Sequence, residues 1–165
     1  MDIGGVLFDI DGVLVTSWQP IPGAAEAVQV LAEHRIACSY LTNTTTLTGA
    51  RIAAALTSAG MRVRPDEVIT AAALTADYVR THHPGARCLL VNNGDITEDM
   101  PCIEIIDSAD FGDSSARPDV ILLGGAGPQF CHLTLSRVYD LMSQGVPVIA
   151  MHRSTAWTTA EGLRI

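Results

Sequence analysis

The sequence contains no lysine, and all ten of its basic residues are arginines. Eighteen acidic residues outweigh them, so the formal net charge is −8. This excess of negative charge argues against nucleic acid or an anionic membrane as a partner. It does not exclude a small anionic substrate, because backbone amides and local cations can outweigh the overall field.

The chain also lacks closely spaced cysteines and long apolar runs. Its four cysteines, Cys38, Cys88, Cys102 and Cys131, are scattered, and none has the spacing of a zinc site or a Cys-x-x-Cys pair. No apolar stretch approaches the roughly 20 residues of a membrane span, and no charged-then-apolar leader precedes the first strand. We therefore expect reduced thiols and a cytoplasmic protein.

Short apolar runs alternate with segments of helical periodicity, and hydrophobic residues make up 48% of the chain. The β-α-β-α-β order of residues 1–70 predicts a parallel, doubly wound α/β sheet with right-handed crossovers. A second α/β unit is predicted over residues 71–161, and residues 162–165 then begin a return to the first. The predicted strands are 6–10, 36–42, 67–70, 87–91, 103–106, 120–123 and 146–151, and the predicted helices are 23–35, 51–59, 72–82 and 129–143.

Two aspartates end the first apolar run. Asp9 and Asp11 are separated by one residue, so on a strand they point the same way. Two carboxylates that close repel each other unless one is protonated or a cation lies between them. Mg²⁺, which prefers oxygen ligands, would resolve the conflict. Gly12 then allows a sharp turn. The pattern predicts a metal-assisted site with a carboxylate nucleophile; two solvated aspartates at a strand end are the alternative.

A second polar group follows the second predicted strand. Thr42 and Asn43 end that strand, and parallel sheets gather ligands at the carboxyl ends of their strands. A threonine hydroxyl there can donate to a phosphoryl oxygen. We expect the amides of residues 43–46 to start a helix, where anions are favoured. Taken on their own, the threonines can be interpreted equally well as the cap of a helix.

These motifs resemble those of a known superfamily. The run from Phe8 to Leu14, followed by Leu41-Thr42-Asn43-Thr44, looks like motifs one and two of the haloacid dehalogenase (HAD) phosphatases. The later runs 119–125 and 147–153 resemble the type IIA cap of the p-nitrophenyl-, phosphoglycolate- and pyridoxal-phosphatase-like members. The resemblance implies a HAD-like Rossmannoid core carrying an inserted α/β cap.

The resemblance also implies a mechanism. Asp9 would attack phosphorus and form an aspartyl-phosphate, while Asp11 would protonate the leaving group and then activate water. Asp9 and the main-chain carbonyl of Asp11 would hold Mg²⁺. Gly12, Thr42 and Asn43 would bind the phosphoryl oxygens, Gly12 by presenting its amide. A small phosphorylated metabolite is the expected substrate, and pairing of caps makes a homodimer the expected assembly.

The sequence departs from the family pattern in two respects. Members of the family carry a lysine beside the phosphoryl group and a later Gly-Asp…Asp motif, and this sequence supplies neither. We therefore expect a core sheet that is incomplete at its C-terminal side, with an unpaired edge beside the first strand. The chain is then either part of a longer phosphatase or a catalytically incomplete protein that serves in binding or assembly.

Three weaker features are better explained by structure. Gly124-Gly125-Ala126-Gly127 lacks the Lys-Ser/Thr ending of a P-loop and is interpreted as a tight turn. His82 and His83 are interpreted as a helix end. His152 and Arg153 end a cap strand, where solvation is favoured over contact with an anionic substrate.

Overall fold

The alternation of apolar runs and helical segments folds into two parallel sheets with helices packed on them. The computed structural model describes residues 3–107, 117–128, 130–155, 157–159 and 162–164. The strands are β1 (Gly5–Asp9), β2 (Val15–Thr16), β3 (Gln19–Pro20), β4 (Ala37–Thr42), β5 (Val68–Thr70), β6 (Arg87–Val91), β7 (Glu104–Asp107), β8 (Val120–Leu123), β9 (Val148–Ala150), β10 (Trp157–Thr159) and β11 (Gly162–Arg164). The helices are α1 (Ala24–Glu33), α2 (Gly49–Ser58), α3 (Ala71–His82) and α4 (His132–Ser143).

The chain divides into two compact units. The first contains Met1–Thr42, Gly49–Thr70 and Ser154–Ile165, and the second contains Asn43–Thr48 and Ala71–Arg153. The short segment between β4 and α2 therefore belongs to the second unit, whereas both elements that flank it belong to the first. The predicted boundaries at residues 70 and 161 stay predictions.

In the first unit, β1, β4 and β5 form a parallel sheet in that order. α1 and α2 provide the connections between the strands, as the sequence predicts. Among the described residues β1 pairs only with β4, so the edge predicted beside the first strand is present. Leu7, in the middle of β1, is 61% exposed.

The second unit has a four-stranded parallel sheet in the order β7-β6-β8-β9. Because successive side chains of a strand point to opposite faces, each face takes its own helix. Ala72, Ala76 and Val79 of α3 pack with Cys88 and Leu122 on one face. On the other face, Val138 of α4 packs with Leu89, Val91 and Ile121. The predicted parallel α/β architecture is confirmed.

Two predicted boundaries move for physical reasons. α2 begins at Gly49, so residues 43–46 do not form its first turn and that prediction is wrong. α4 begins at His132, because Cys131 before it is extended (φ −77°, ψ 165°). The start predicted for α4, Gln129, lies outside the described residues. The polar run 107–117 predicts a loop, and its residues 108–116 also lie outside them.

Two short hairpins have no counterpart in the prediction. β2 and β3 join through Ser17 and Trp18, which both have positive φ (50° and 62°), as in a type I′ turn. That turn normally contains Asn and Gly, so Ser-Trp carries no recognisable signal. β10 and β11 pair in the same antiparallel way near the end of the chain.

None of the helices in the described part of the chain is long and apolar enough to cross a membrane.

Candidate active site

The two aspartates lie at the carboxyl end of β1. Asp9 is the last residue of the strand, and its Oδ1 accepts a hydrogen bond from the amide of Ile10 at 2.9 Å. Ile10 is fully buried, whereas Asp9 and Asp11 on either side of it are exposed. The buried Ile10 anchors the chain here, while the aspartates on either side of it are accessible to solvent.

A tight turn follows and holds Asp11 in place. The carbonyl of Ile10 accepts hydrogen bonds from the amides of Leu14 (3.0 Å) and Val15 (3.2 Å). Gly12 has φ +83°, which side-chain-bearing residues rarely adopt, although nothing lies within 4 Å of the place a Cβ would occupy. Glycine is therefore required here by backbone conformation and not by lack of space.

The amide of Gly12 has a different partner from the expected one. It donates to the carbonyl of Val15 at 2.8 Å, within the turn. The amide assigned to phosphate is thus used in this structure by the fold itself. The sequence could not reveal this, because the partner depends on how the chain turns after Asp11.

Thr42 lies beside the aspartates, as expected for neighbouring parallel strands. It ends β4, is only 3% exposed, and donates its hydroxyl to Oδ2 of Asp11 at 3.2 Å. The parallel register that pairs Asp9 with Leu41 explains the proximity, because the next residue of β4 then lies level with the end of β1. This hydrogen bond joins residues from the two predicted motifs.

Asn43 is placed differently from its neighbour. It is exposed and is the first residue of the Asn43–Thr48 segment, which is grouped with the second unit. Asp9, Asp11, Gly12 and Thr42 all belong to the first unit. Because α2 starts only at Gly49, the amides after Thr42 act as loop amides and not as a helix N-terminus.

Two aromatic residues, one on β1 and one on β4, stack against each other near the aspartates. The rings of Phe8 and Tyr40 stack with centroids 5.9 Å apart and planes 13° apart, and Tyr40 is 2% exposed. Burial raises the pKa of Tyr40 to about 12, with smaller contributions from Cys38 and Glu67. The phenol therefore stays neutral at ordinary pH and serves packing rather than acid–base chemistry.

The carboxylates fit a hard divalent cation in part. Mg²⁺ is typically held by one or two carboxylates together with substrate phosphate and water, and Asp9 and Asp11 supply two such groups. Over the described residues, no group of three or more acidic, histidine or cysteine side chains is suitably placed for a metal. The pair accordingly suits a cation shared with a phosphate more than a closed protein cage.

The glycine-rich turn after β8 uses two of its amides within the fold. The amide of Gly124 donates to Val91, and that of Gly125 to side chains of Asn92 and Thr45. These amides are used internally, which agrees with the interpretation as a tight turn.

Over the part of the chain that the structure describes, no histidine belongs to a group suited to a metal ion. The ring of His82 lies 4.2 Å from that of Tyr78 at the end of α3. The Nδ1 atom of His152 is buried without a hydrogen-bond partner among the described residues.

Comparison with known proteins identifies the family. The family model described as haloacid dehalogenase-like hydrolase matches residues 6–105, which include β1, β4 and both aspartates. The chain belongs to the haloacid dehalogenase-like hydrolases. The HAD-like resemblance drawn from the two motifs is thereby confirmed, as is the relation to the type IIA subgroup.

Among curated HAD-like relatives, the ribonucleotide monophosphatase NagD of Escherichia coli K12 is 32% identical over 75% of this chain and 47% of its own length. Among solved structures, p-nitrophenyl phosphatase from Archaeoglobus fulgidus covers 99% of this chain and 60% of its own, with TM-score 0.83 and 22% identity. The glycerol phosphate phosphatase of Mycobacterium tuberculosis, in complex with magnesium, has TM-score 0.78 and 25% identity, covering 95% and 46%. The chain spans 28% to 57% of the length of the curated relatives it matches.

Proposed function

We propose that this HAD-like chain carries the nucleophile half of a Mg²⁺-dependent phosphatase that hydrolyses a small phosphomonoester. The hydrogen bond of 3.2 Å from Thr42 to Asp11, beside the strand-ending Asp9, carries the proposal. Asp9 and Thr42 end the neighbouring strands β1 and β4, and Asp11 lies within hydrogen-bond distance of Thr42. The names of the relatives, which include a ribonucleotide and a glycerol phosphate phosphatase, support a small phosphorylated substrate.

Asp9 is the proposed nucleophile. One of its carboxylate oxygens attacks phosphorus, the bond from phosphorus to the leaving oxygen breaks, and an aspartyl-phosphate forms. Oδ1 of Asp9 already accepts the amide of Ile10, which orients the carboxylate. The second oxygen is the one proposed to attack.

Asp11 is the proposed acid and base. It gives its proton to the leaving oxygen in the first half, then removes a proton from the water that attacks the aspartyl-phosphate. A threonine hydroxyl has one proton, so Thr42 can donate to Asp11 or to a phosphoryl oxygen, but not to both. We propose that phosphate takes this donor in place of Asp11 when it binds.

Asp9 and the main-chain carbonyl of Asp11 are proposed to hold Mg²⁺. When bound, the cation would reduce the repulsion between the carboxylates and the phosphate. Asn43 is proposed to bind the phosphoryl group through its amide, directly after Thr42.

Two further features are part of the proposal. The four cysteines are all free thiols, which favours a reducing, cytoplasmic compartment.

We also propose a homodimer through the second unit. In α4 a stripe formed by Leu135, Tyr139 and Met142 is 44%, 69% and 49% exposed, at the i, i+4 and i+7 spacing of one helix face.

A second candidate is a HAD-like protein that binds phosphate or metal without turnover. The absence of lysine favours it, because the phosphoryl group and the nucleophile then lack the cation that the family places beside them.

Hydrolysis of p-nitrophenyl phosphate separates the two candidates. The wild-type chain, Asp9→Asn and Asp11→Asn are assayed with and without Mg²⁺, and folding is checked by circular dichroism. The phosphatase proposal expects Mg²⁺-dependent release of p-nitrophenol, lost in Asp9→Asn by at least ~10³-fold, within the range for removal of a nucleophile. Undiminished hydrolysis by a folded Asp9→Asn would contradict it, and a folded but inactive wild type favours the second candidate.

A further inference from the structure

A buried asparagine in the second unit reaches the segment that follows Thr42. Asn92 directly follows the last residue of β6 and is 7% exposed. Its Nδ2 donates to the carbonyls of Thr45 (2.7 Å) and Gly94 (2.9 Å), and its Oδ1 accepts the amide of Gly125 (2.9 Å). Two carbonyls on one side and an N–H on the other determine the orientation of the amide. The side chain is therefore fully engaged with three loops of the backbone.

Thr45 completes the junction from the other side. It is 2% exposed, and its Oγ1 accepts the same Gly125 amide at 2.7 Å. One N–H is thus shared between the side chains of Thr45 and Asn92. The hydrogen bonds of Thr45 with Asn92 and with Gly125 span 47 and 80 residues of the sequence. They attach the Asn43–Thr48 segment to the loops that follow β6 and β8.

The glycines around Asn92 allow the close approach. A Cβ on Gly94 would lie 2.5 Å from the carbonyl oxygen of Thr46, and one on Gly125 would lie 2.8 Å from Oγ1 of Thr45. A Cβ on Gly124 would overlap the Asn92 side chain. A larger residue at Gly94 or Gly125 would displace the Asn43–Thr48 segment. These two glycines therefore favour a single conformation of that segment.

We propose that Asn92 is a positioning residue for phosphate binding, because it sets the conformation of the Asn43–Thr48 segment directly after Thr42. The inference rests on the proposed function, in which Thr42 and Asn43 bind the phosphoryl group. Asn92 touches neither phosphate nor the aspartates in this role. It acts through the carbonyl of Thr45, two residues beyond Asn43, and no motif in the sequence points to this role.

The test uses Asn92→Asp, which keeps the size and the acceptor for Gly125 but places an oxygen against two carbonyls. Thr45→Val, which removes the second acceptor, is compared with Thr45→Ser, which keeps it. Two readouts are used: hydrogen exchange of the amides in 43–48, and the affinity for inorganic phosphate in the presence of Mg²⁺. Val138→Ala, in the α4 core, serves as a control that destabilises the same unit elsewhere.

We expect Asn92→Asp to speed exchange in 43–48 and weaken phosphate binding by about tenfold, the size of one lost buried hydrogen bond. Thr45→Val should act in the same direction, with Thr45→Ser close to wild type. Unchanged exchange in 43–48, or an equal loss of phosphate affinity in Val138→Ala, would overturn the positioning role. A wild type that binds no phosphate would instead contradict the proposed function, and with it the role of Asn92 in that function.

Discussion

At the scale of single residues, Thr42 and Asp11 show how much of the site follows from local rules. The shared edge of parallel strands predicts that Thr42 lies near the end of the first strand, and the 3.2 Å hydrogen bond between Thr42 and Asp11 agrees with it. Strand periodicity predicts that Asp9 and Asp11 point the same way, but β1 ends at Asp9, so Asp11 lies in the turn that follows. The internal use of the Gly12 amide was not predictable, because it depends on the three-dimensional course of the turn.

Tyr40 provides a test of the packing beneath the site. Its folded pKa is about 12, above the ordinary value of 10, because burial disfavours the tyrosinate. The unfolded chain loses the Tyr40 proton at a lower pH than the folded protein does. The contribution of Tyr40 to the free energy of unfolding is therefore fully present below pH 10 and is lost as the pH rises towards 12. Two pKa units correspond to about 2–3 kcal/mol.

Tyr40→Phe keeps the ring stacked on Phe8 but cannot ionise. We expect the free energy of unfolding in urea to fall less steeply for this variant than for wild type between pH 10 and 12. Cys88, whose pKa burial raises to about 11, contributes equally to both proteins and cancels in the difference. Identical pH dependence of the two proteins would mean that Tyr40 is not buried as described.

At the scale of elements, strands and helices with clear periodicity were predictable, and the segments joining them were not. β6 and β8 have the predicted bounds, because each is an apolar run ended by Asn or Gly. Residues 43–46 do not start a helix, although their threonines are good caps. Asn92 and Gly125, the partners of Thr45, are 47 and 80 residues away from it, so no local pattern reveals them.

The tight contact at Gly94 can be tested with a pair of alanine variants. Gly94 has φ +102° and its Cβ would approach the Thr46 carbonyl, whereas Gly145 has φ +86° with nothing within 4 Å. Gly145→Ala should therefore cost only the left-handed strain of about 1–2 kcal/mol. Gly94→Ala should cost at least ~1 kcal/mol more, the overpacking contribution. Chemical denaturation measures both, and equal losses would argue against the close approach.

The stripe on α4 predicts self-association. Tyr139→Glu places a charge in the middle of the stripe and should shift the chain from dimer to monomer, as measured by light scattering after size-exclusion chromatography. Leu74→Glu, at a comparably exposed apolar position on α3, is the matched control and should leave the dimer intact. A wild-type monomer, or dissociation by Leu74→Glu alone, would contradict a dimer through α4.

At the scale of the whole molecule, the family and the architecture were the features most readily predicted from the sequence. Two short motifs identified a HAD-like chain, and the family model and the parallel sheets agree. The conformation of the Asn43–Thr48 segment could not be predicted from the sequence, because it depends on side chains elsewhere in the second unit.

Trapping the phosphoryl group tests the central claim most directly. The wild-type chain, Asp9→Asn and Asp11→Asn are mixed with p-nitrophenyl phosphate and Mg²⁺, quenched in acid and digested for peptide mass spectrometry. We predict a phosphoryl group on Asp9, accumulating in Asp11→Asn because no base activates water there, and absent in Asp9→Asn. A phosphoryl group on another residue, or none in any of the three proteins, would contradict Asp9 as the nucleophile.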